Sequence, residues 1–379
     1  MTKQNKTPIP TSTSDGAVRP VLIVDEEILN SLSVFLRYFF VGLADESGTA
    51  ALICPRDYDV DSLLCPSVEI IRHPAYRTPL LWRQSKRKLI DSLLKFRPNI
   101  LHCLGDGMAD FTKELAEQLD LPYVITLSSF QNKLRKSSIS GKHCAAIIAP
   151  TEFLRAHFEQ LYPKFGERIR KINMGTFVDS QCSCFSEPSR MTGMVVVRRL
   201  DNADDLGAMF SAIKHLAIDG HEFILMLIGT GPAEKDVREL RKTLGLSQVV
   251  YIIPDIQPLR SVFASADIFI LPQPERTFSY FLMEAMSAGM AVAGCAGGVD
   301  DILIDNQTAS LFEPTDELSI YGCLQQLMEQ RELARKIAAG AQSHLKENYT
   351  VSRMVSSLLE TYRSARQWYK TQSAQSSRP

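Results

Sequence analysis

The sequence has no excess of charge of either sign. Its 379 residues include 42 lysines and arginines and 43 aspartates and glutamates, which gives a formal net charge of −1. A chain without a global positive field lacks the attraction that dominates non-specific binding to nucleic acid. The sequence therefore predicts no nucleic-acid partner, and any basic surface is expected to be local.

Cysteines at paired spacings and long apolar runs are also lacking. The eight cysteines fall mostly inside apolar segments such as ALIC and ILHC, which is typical of reduced, buried thiols in a cytoplasmic protein. We interpret Cys182-x-Cys184 as part of a loop, because no second pair completes a metal-binding motif. No run reaches the ~18 continuous apolar residues that a membrane span requires. The sequence therefore predicts neither a metal site nor a transmembrane segment.

Both ends of the sequence are polar. Residues 1–17 lack the apolar core of a signal peptide, and we interpret them as a disordered leader. Residues 369–379 are expected to form a disordered tail for the same reason. The chain as a whole, with 45% hydrophobic and 22% charged residues, is long enough for two domains with sizeable cores.

Short β-branched apolar runs alternate with helical patterns along most of the chain. This alternation is typical of parallel β-sheets that are covered by helices. The predicted strands are Val21–Val24, Ala51–Cys54, Val68–Ile71, Ile100–Cys103, Tyr123–Leu127 and Ala145–Ala149 in the first half, and Met194–Val197, Phe223–Ile228, Val249–Ile253, Ile268–Leu271 and Ala291–Cys295 in the second.

A turn-rich stretch, Asn173–Met191, separates the two halves. We therefore predict a first domain over 18–178, a linker over 179–190 and a second domain over 191–350. A helix over 351–368 has its apolar residues on one face and is expected to pack back toward the first domain. Two facing α/β domains place the carboxyl ends of both sheets around one cleft, where open sheets bind ligands.

The stretch Met283–Gly298 joins a carboxylate to a turn, a small-residue strand and a glycine pair. Glu284 is predicted to open a helix that ends at Gly289, and Gly297 and Gly298 follow the next strand. A carboxylate accepts hydrogen bonds from ribose hydroxyls, and backbone without side chains lets a diphosphate approach amide N–H groups. The pattern therefore fits a sugar-nucleotide pocket, but it also fits an ordinary helix-to-strand crossover with a glycine cap.

An ordered set of motifs extends over most of the chain. The second half contains VVVRRL at 195–200, GTGP at 229–232, the run from 261 to 303 and ASLFEP at 309–314. The first half contains PNILHCLGDG at 98–107, DLPYVITL at 120–127, IIAPTEFLRAHF at 147–158 and IRKINMGTFVD at 169–179. The set resembles the retaining, family-4-type (group 1) glycosyltransferases. The resemblance implies an α/β protein of GT-B fold, with two Rossmann-like parallel-sheet domains that face a central cleft.

The resemblance also implies a reaction. A sugar would pass with retention from a nucleoside-diphosphate donor, bound by the second domain, to a glycan, lipid-linked or small-molecule acceptor, without a metal or cofactor. Glu284 matches the family's ribose-binding glutamate, and Arg199 matches the arginine that neutralises the diphosphate. The glycines that would let the backbone approach the nucleotide are Gly229, Gly231, Gly297 and Gly298.

Four positions depart from the family's pattern. Arg276 occupies the place of the first glutamate of a pair that ends at Glu284, and Glu275 lies one residue before it. Asp204 occupies the place of a phosphate-binding lysine, where its negative charge repels a diphosphate. Ser128 occupies the place of an acceptor-side histidine. The loop after the first strand lacks its glycines, since none occurs over 25–41.

These departures leave two main interpretations. In the first, the protein is a divergent glycosyltransferase in which Arg199 and Arg276 stabilise phosphate, Glu275 contacts the donor sugar, and Arg198, Arg276 or Lys133 supplies the missing cation. In the second, the scaffold has lost catalysis and serves as a binding or partner subunit in glycan assembly. A sugar-nucleotide epimerase of the same fold is less favoured, because no acid–base pair is apparent.

The candidates on the acceptor side are His102, Asp106 and Ser128, although a lone histidine at a strand end is more often structural. Segment 77–97 contains seven basic residues and one acidic residue. It predicts either a solvated basic helix or a peripheral contact with an anionic membrane. Such a contact would place a cytoplasmic protein at the inner membrane face, next to a lipid-linked acceptor.

Overall fold

The computed structural model describes residues 17–376, except for 57, 61–62, 64, 74–78, 129–133, 135, 188, 255, 257, 276–277 and 299–300. Within these residues the chain forms two parallel β-sheets with helices between the strands. Residues 1–16 of the predicted leader lie outside the described residues. Two of the candidate cations, Arg276 and Lys133, lie outside them as well.

The first sheet has seven strands, and all of its pairings are parallel. The strands are β1 (Pro20–Ile23), β2 (Ala50–Pro55), β3 (Val68–His73), β4 (Ile100–Leu104), β5 (Tyr123–Thr126), β6 (Cys144–Ala149) and β7 (Ile169–Lys171). Their spatial order is β3-β2-β1-β4-β5-β6-β7, so the order reverses between β1 and β4. The central strands are buried apolar runs, because helices cover both faces.

The second sheet has six parallel strands. They are β8 (Thr192–Val197), β9 (Phe223–Ile228), β10 (Val250–Ile253), β11 (Ile268–Leu271), β12 (Ala291–Cys295) and β13 (Ser310–Phe312). Their order, β10-β9-β8-β11-β12-β13, reverses between β8 and β11. The α/β class with two Rossmann-like sheets is therefore confirmed. Each reversal opens a crevice at the carboxyl edge of its sheet, where ligands of such folds bind.

Eleven helices occur in the described part of the chain. They are α1 (Glu26–Asp45), α2 (Pro79–Phe96), α3 (Ala109–Leu119), α4 (Glu152–Leu161), α5 (Gly207–Ile218), α6 (Glu234–Thr243), α7 (Leu259–Phe263), α8 (Tyr280–Ser287), α9 (Glu317–Glu329), α10 (Arg331–Asn348) and α11 (Val351–Ser376). Two of them correct the sequence prediction. Helix α8 begins at Tyr280, after the N-cap Ser279, so Glu284 lies inside the helix instead of opening it.

Helix α11 continues to Ser376, so the prediction of a disordered segment is wrong for residues 369–376. The physical reason is a tertiary contact that the polar sequence does not reveal. Tyr369 is buried, and its hydroxyl donates a hydrogen bond of 2.6 Å to Asp120 Oδ1. This contact holds the helix against the first domain beyond the end of its apolar stripe.

Helix α1 is apolar over most of its length. By length and composition it is the one described helix that could cross a membrane, and half of its most apolar window is buried inside the protein. The charged residue Arg37 interrupts its apolar sequence. The helix packs on α11. Asp25 caps its first turn by accepting a hydrogen bond of 2.9 Å from the Ile28 amide. Its buried aromatic residues, including Phe35 and Phe39, belong to the largest apolar core.

The polypeptide crosses between the two sheets twice, at a single place. Thr176, on the way out of the first domain, and Thr350, just before α11, form a parallel bridge, and the Thr176 amide donates to the Tyr349 carbonyl at 2.8 Å. A Cβ on Gly175 would lie 2.7 Å from the Thr350 carbonyl oxygen. The two crossings therefore touch through their backbones, and a side chain at 175 does not fit.

The two domains share one apolar core. It includes Phe35 from α1 together with Met283 and Tyr280 from α8, and the rings of Phe35 and Tyr280 lie 6.3 Å apart. The Tyr280 hydroxyl also donates to the Gly175 carbonyl at 3.0 Å. The back of the cleft is therefore a packed, water-excluding contact between α1 and α8.

Candidate active site

The carboxyl edge of the second sheet gathers residues from four loops. Arg198 follows β8, Gly229 follows β9, Glu275 follows β11 and Gly298 follows β12. The loops touch one another: a Cβ on Gly298 would lie 3.0 Å from the Glu275 amide nitrogen. Because β8 and β11 flank the reversal of strand order, these four loops lie at the crevice of this sheet.

The glycines of the GTGP motif are required by a close approach of two loops. Gly229 has φ +151°, and a Cβ there would lie 1.9 Å from the Arg198 carbonyl oxygen. A Cβ on Gly231 would lie 2.2 Å from the carbonyl oxygen of Leu200. These glycines therefore shape the loop that carries the two arginines. Gly297 differs, because its φ is +89° and its Cβ position faces open space.

The two arginines after β8 have different surroundings. Arg199 pairs with Asp201 at 2.7 Å, and its side chain is 72% exposed. Arg198 pairs with Asp205 at 2.8 Å, and its side chain is only 21% exposed. Arg198 is also the cation that acts on the Glu275 carboxyl. Arg198 therefore reaches the crevice, whereas the Arg199 side chain is largely in solvent, and each is partly neutralised by a neighbouring aspartate.

Glu275 lies at the crevice, where it is partly buried. Burial raises the pKa of its carboxyl, and the charge of Arg198 opposes that rise. The preceding loop is fixed by Gln273, whose side-chain amide donates to the Asp205 carbonyl at 3.0 Å. Glu275 and Arg198 are thus brought together, as a contact with a donor sugar and its phosphate would need.

Glu284 lies at the contact between the domains, and its carboxylate already has protein partners. Thr176 Oγ1 is 2.7 Å from Oε1, the Tyr38 hydroxyl is 3.1 and 3.0 Å from the two oxygens, and Arg260 Nη1 is 2.9 Å from Oε2. Arg260 also pairs with Asp179 at 2.7 Å. We call Glu284, Tyr38, Thr176, Arg260 and Asp179 the Glu284 cluster.

The Glu284 cluster is well shielded from solvent. Glu284 is 6% exposed. Burial and the neighbouring Glu284 charge raise the pKa of Tyr38 to about 12, so its hydroxyl stays protonated and donates at neutral pH. Nothing in the sequence pointed to Tyr38 or Arg260, because they lie 246 and 24 residues from Glu284 and belong to other elements.

Two of the three acceptor-side candidates meet at the reversal of the first sheet. The Ser128 hydroxyl donates to Asp106 Oδ1 at 3.0 Å, and these residues follow β5 and β4. Asp25 lies beside them, since a Cβ on Gly107 would be 2.3 Å from Asp25 Oδ2. Sequence reasoning missed Asp25. The sequence does place Asp25 directly before a helix-like pattern of apolar residues, and this position is typical of an N-cap.

The third candidate, His102, is a buried structural residue. It has no exposed surface, and its ring nitrogens lie 2.6 Å from the Tyr362 hydroxyl and 2.7 Å from Thr126 Oγ1. Burial lowers its pKa to about 3. His102 therefore joins α11 to the first sheet and does not reach the cleft with Asp106 and Ser128.

We expect His102 to make the fold sensitive to acid. Its folded pKa lies below the unfolded value of about 6.5, so its stabilising contribution is complete above that pH and is lost as the pH falls toward 3. The free energy of unfolding should therefore fall by up to about 1.4 kcal/mol per pH unit below about pH 6. Urea denaturation between about pH 7 and pH 5 measures this slope.

The control is a histidine at the surface. His102→Gln should flatten the slope, whatever its stability at neutral pH, whereas His215→Gln, which removes a half-exposed pair with Glu317, should change it far less because solvent screens that pair. An unchanged slope in His102→Gln would show that other groups cause the acid sensitivity.

The described residues contain no group of three or more His, Cys, Asp or Glu side chains placed to hold a metal ion. All eight cysteines are free thiols, and six of them, Cys54, Cys103, Cys144, Cys184, Cys295 and Cys323, are buried. The prediction that most of the cysteines are buried is therefore confirmed.

Two facing Rossmann-like sheets and a cationic, glycine-lined crevice define a protein of GT-B type. Residues 192–330 match the family model described as glycosyl transferases group 1. The match falls within the second domain, and it confirms the resemblance to group 1 glycosyl transferases found in the sequence. The match covers β8 to α9 and includes Arg199, Glu275 and Glu284.

Curated relatives and solved structures agree with this assignment. The chain is 24% identical over 327 residues to the sulfoquinovosyl transferase of Arabidopsis thaliana. This alignment covers 78% of this chain and 62% of that protein. It is 26% identical over 133 residues to N-acetyl-alpha-D-glucosaminyl L-malate synthase of Bacillus anthracis, with 35% of each chain covered. The chain therefore spans between one third and about three fifths of these relatives.

Among solved structures, HepE of Anabaena in complex with UDP-glucose has a TM-score of 0.76 at 14% identity, covering 90% of this chain and 98% of that one. A glycosyltransferase of Rickettsia africae has a TM-score of 0.75 at 16% identity, covering 92% and 98%. At such identities the likeness shows the fold, and it confirms the GT-B architecture.

Proposed function

We propose that the protein is a glycosyltransferase that moves a sugar from a nucleoside-diphosphate donor to a glycan or lipid-linked acceptor, with retention and without a metal. The observation that carries this proposal is the crevice at the β8–β11 reversal, where Arg198, Arg199 and Glu275 meet the glycine loops. Support comes from the family match over the same residues, and from HepE, whose structure was solved with UDP-glucose.

The chemistry of the crevice follows from charge. Cleavage of the bond between sugar and phosphate leaves negative charge on the diphosphate, and fixed cations stabilise that charge more in the transition state than in the ground state. Arg198 and Arg199 supply these cations, and the Glu275 carboxyl accepts hydrogen bonds from sugar hydroxyls. Across the cleft, Asp106 and Ser128 offer a hydrogen-bonded polar pair to an acceptor hydroxyl.

A second candidate is a non-catalytic partner subunit in glycan assembly. It is favoured by the aspartates around the cations, since Asp201 and Asp205 pair with Arg199 and Arg198. Each pair reduces the positive charge that a diphosphate would meet. The first helix adds to this effect, because its N-terminus is capped by Asp25 and is therefore closed to phosphate.

Calorimetric titration with UDP-, GDP- and ADP-sugars tests the proposal. The double variant Arg198→Ala/Arg199→Ala should lose at least about tenfold in affinity for the best donor, because charge-assisted hydrogen bonds are the strong ones. Arg238→Ala is the charge-matched control: Arg238 pairs with Glu234 within α6, and its loss should change affinity by less than about twofold.

Measuring turnover of the nucleotide sugar distinguishes the enzyme from the non-catalytic partner subunit. Donor hydrolysis or transfer, with the anomeric configuration of the product read by NMR, supports the enzyme. Tight binding without turnover supports the partner subunit. If no nucleotide sugar binds, both the donor site and the enzyme proposal fail.

A further inference from the structure

We propose that Tyr38 and Arg260 form an interdomain latch on Glu284, and that the Tyr38 hydroxyl competes with the ribose of a nucleotide for the Glu284 carboxylate. This inference rests on the proposed function, and it takes Glu284 as the residue that binds the ribose of the donor. It assigns Tyr38, a residue of the first domain, a direct influence on donor affinity.

Three protein groups already surround the Glu284 carboxylate. The Tyr38, Thr176 and Arg260 groups lie within 3.1 Å of its two oxygens, and together they cover the carboxylate. The residue is only 6% exposed. A ribose hydroxyl can therefore hydrogen-bond to Glu284 only if one of these donors leaves.

The three groups that donate hydrogen bonds to Glu284 are not held equally firmly. Arg260 is fixed by further bonds of Nη2 to Asp179 at 2.7 Å and to the Phe177 carbonyl at 2.9 Å. Its loss would leave a buried carboxylate without its cation, which is costly. Tyr38 is a neutral donor, and exchanging it for a ribose hydroxyl changes no charge. Thr176 is also neutral, but its backbone is held in the bridge to Thr350 and by its bond to the Tyr349 carbonyl. The Tyr38 hydroxyl is therefore the group that gives way.

The Tyr38–Glu284 contact joins the two domains. Tyr38 is on α1 of the first domain, whereas Glu284 is on α8 of the second. The Tyr38 ring also packs edge-on against Phe177 at 4.8 Å, and Thr176 belongs to the crossing. Breaking the Tyr38–Glu284 contact therefore loosens α1, α8 and the crossing together. The latch keeps the ribose position closed until a nucleotide displaces Tyr38.

The test compares Tyr38→Phe with the wild type. Phenylalanine keeps the ring and its packing but removes the hydroxyl. UDP, GDP and ADP serve as probes in calorimetric titration, and hydrogen–deuterium exchange is measured for residues 172–179 and 280–287 in the nucleotide-free protein. Tyr38→Phe should bind the preferred nucleotide about threefold to tenfold more tightly, which matches the net value of one hydrogen bond. Exchange in both segments should become faster.

Tyr321→Phe is the matched control. The Tyr321 hydroxyl also donates to a carboxylate, Asp219 Oδ2, at 2.7 Å, but both residues lie in the second domain. This variant should leave nucleotide affinity and exchange at 172–179 unchanged. If the wild type binds a nucleotide and Tyr38→Phe binds it no more tightly, the latch is overturned while the proposed function stands. If neither protein binds any of the three nucleotides, the latch and the proposed function both fail.

Discussion

Asp267→Ala should lower the free energy of unfolding by about 3–5 kcal/mol, because it removes a buried charge that three donors surround. Asp267 is 1% exposed. Its carboxylate accepts from the Phe185 amide at 2.7 Å, from Arg190 Nη2 at 2.9 Å and from the Gly193 amide at 2.8 Å. These donors fix both ends of the segment that enters the second sheet. Alanine would leave the buried Phe185 amide and two partly buried donors without this partner.

A second Arg–Asp pair provides the control for this prediction. Asp201 lies 2.7 Å from Arg199, but both side chains are more than half exposed. Asp201→Ala should therefore cost less than about 1 kcal/mol. Urea denaturation followed by circular dichroism measures both variants. Similar losses in the two would mean that burial does not set the strength of the Asp267 contacts.

Gly229→Ala is expected to destabilise the second domain and to abolish donor binding. The new Cβ would lie 1.9 Å from the Arg198 carbonyl oxygen, on a backbone with φ +151°, so both steric overlap and backbone strain oppose it. Together these effects should cost about 2–5 kcal/mol. The loop after β8 would have to move, and Arg198 and Arg199 would move with it. Nucleotide-sugar affinity should fall by more than about tenfold.

Gly322→Ala is the same substitution at a site without these constraints. Gly322 lies inside α9, and its Cβ position faces open space. Alanine there should raise the free energy of unfolding by about 0.5–1 kcal/mol, since glycine disfavours a helix interior. Thermal denaturation and calorimetric titration of both variants provide the comparison. Unchanged donor affinity in Gly229→Ala would remove the GTGP loop from the donor site.

The sequence was sufficient for the fold because buried parallel strands have a strong local signal. Apolar runs such as VLIV and IFIL are fully buried strands, and all eleven predicted strands occur within a residue or two of their expected ends. The two strands that were missed, β7 and β13, have three residues each and lie at sheet edges. Edge strands such as Ile169–Lys171 carry exposed charge, so no apolar pattern identifies them.

The site could be predicted only in part. The loop residues Arg199, Gly229 and Gly298 follow strands that were correctly placed, so topology alone brings them together. The surroundings of Glu284 depend instead on how α1 packs against α8, and Tyr38 is 246 residues away in sequence. No local pattern encodes that contact. His102 was similarly ambiguous, because its partner Tyr362 is contributed by α11.

The double crossing at Thr176 and Thr350 has a consequence for biosynthesis. Helix α11 is made after the whole second domain, yet Met354 and Leu358 complete the same core as Phe39 of α1. Domains generally fold in the order in which the ribosome delivers them. Here the side of α1 that packs on α11 stays uncovered while the chain from Thr176 to Thr350, an interval of 174 residues, is translated. During this interval the exposed apolar surface makes the nascent chain prone to aggregation.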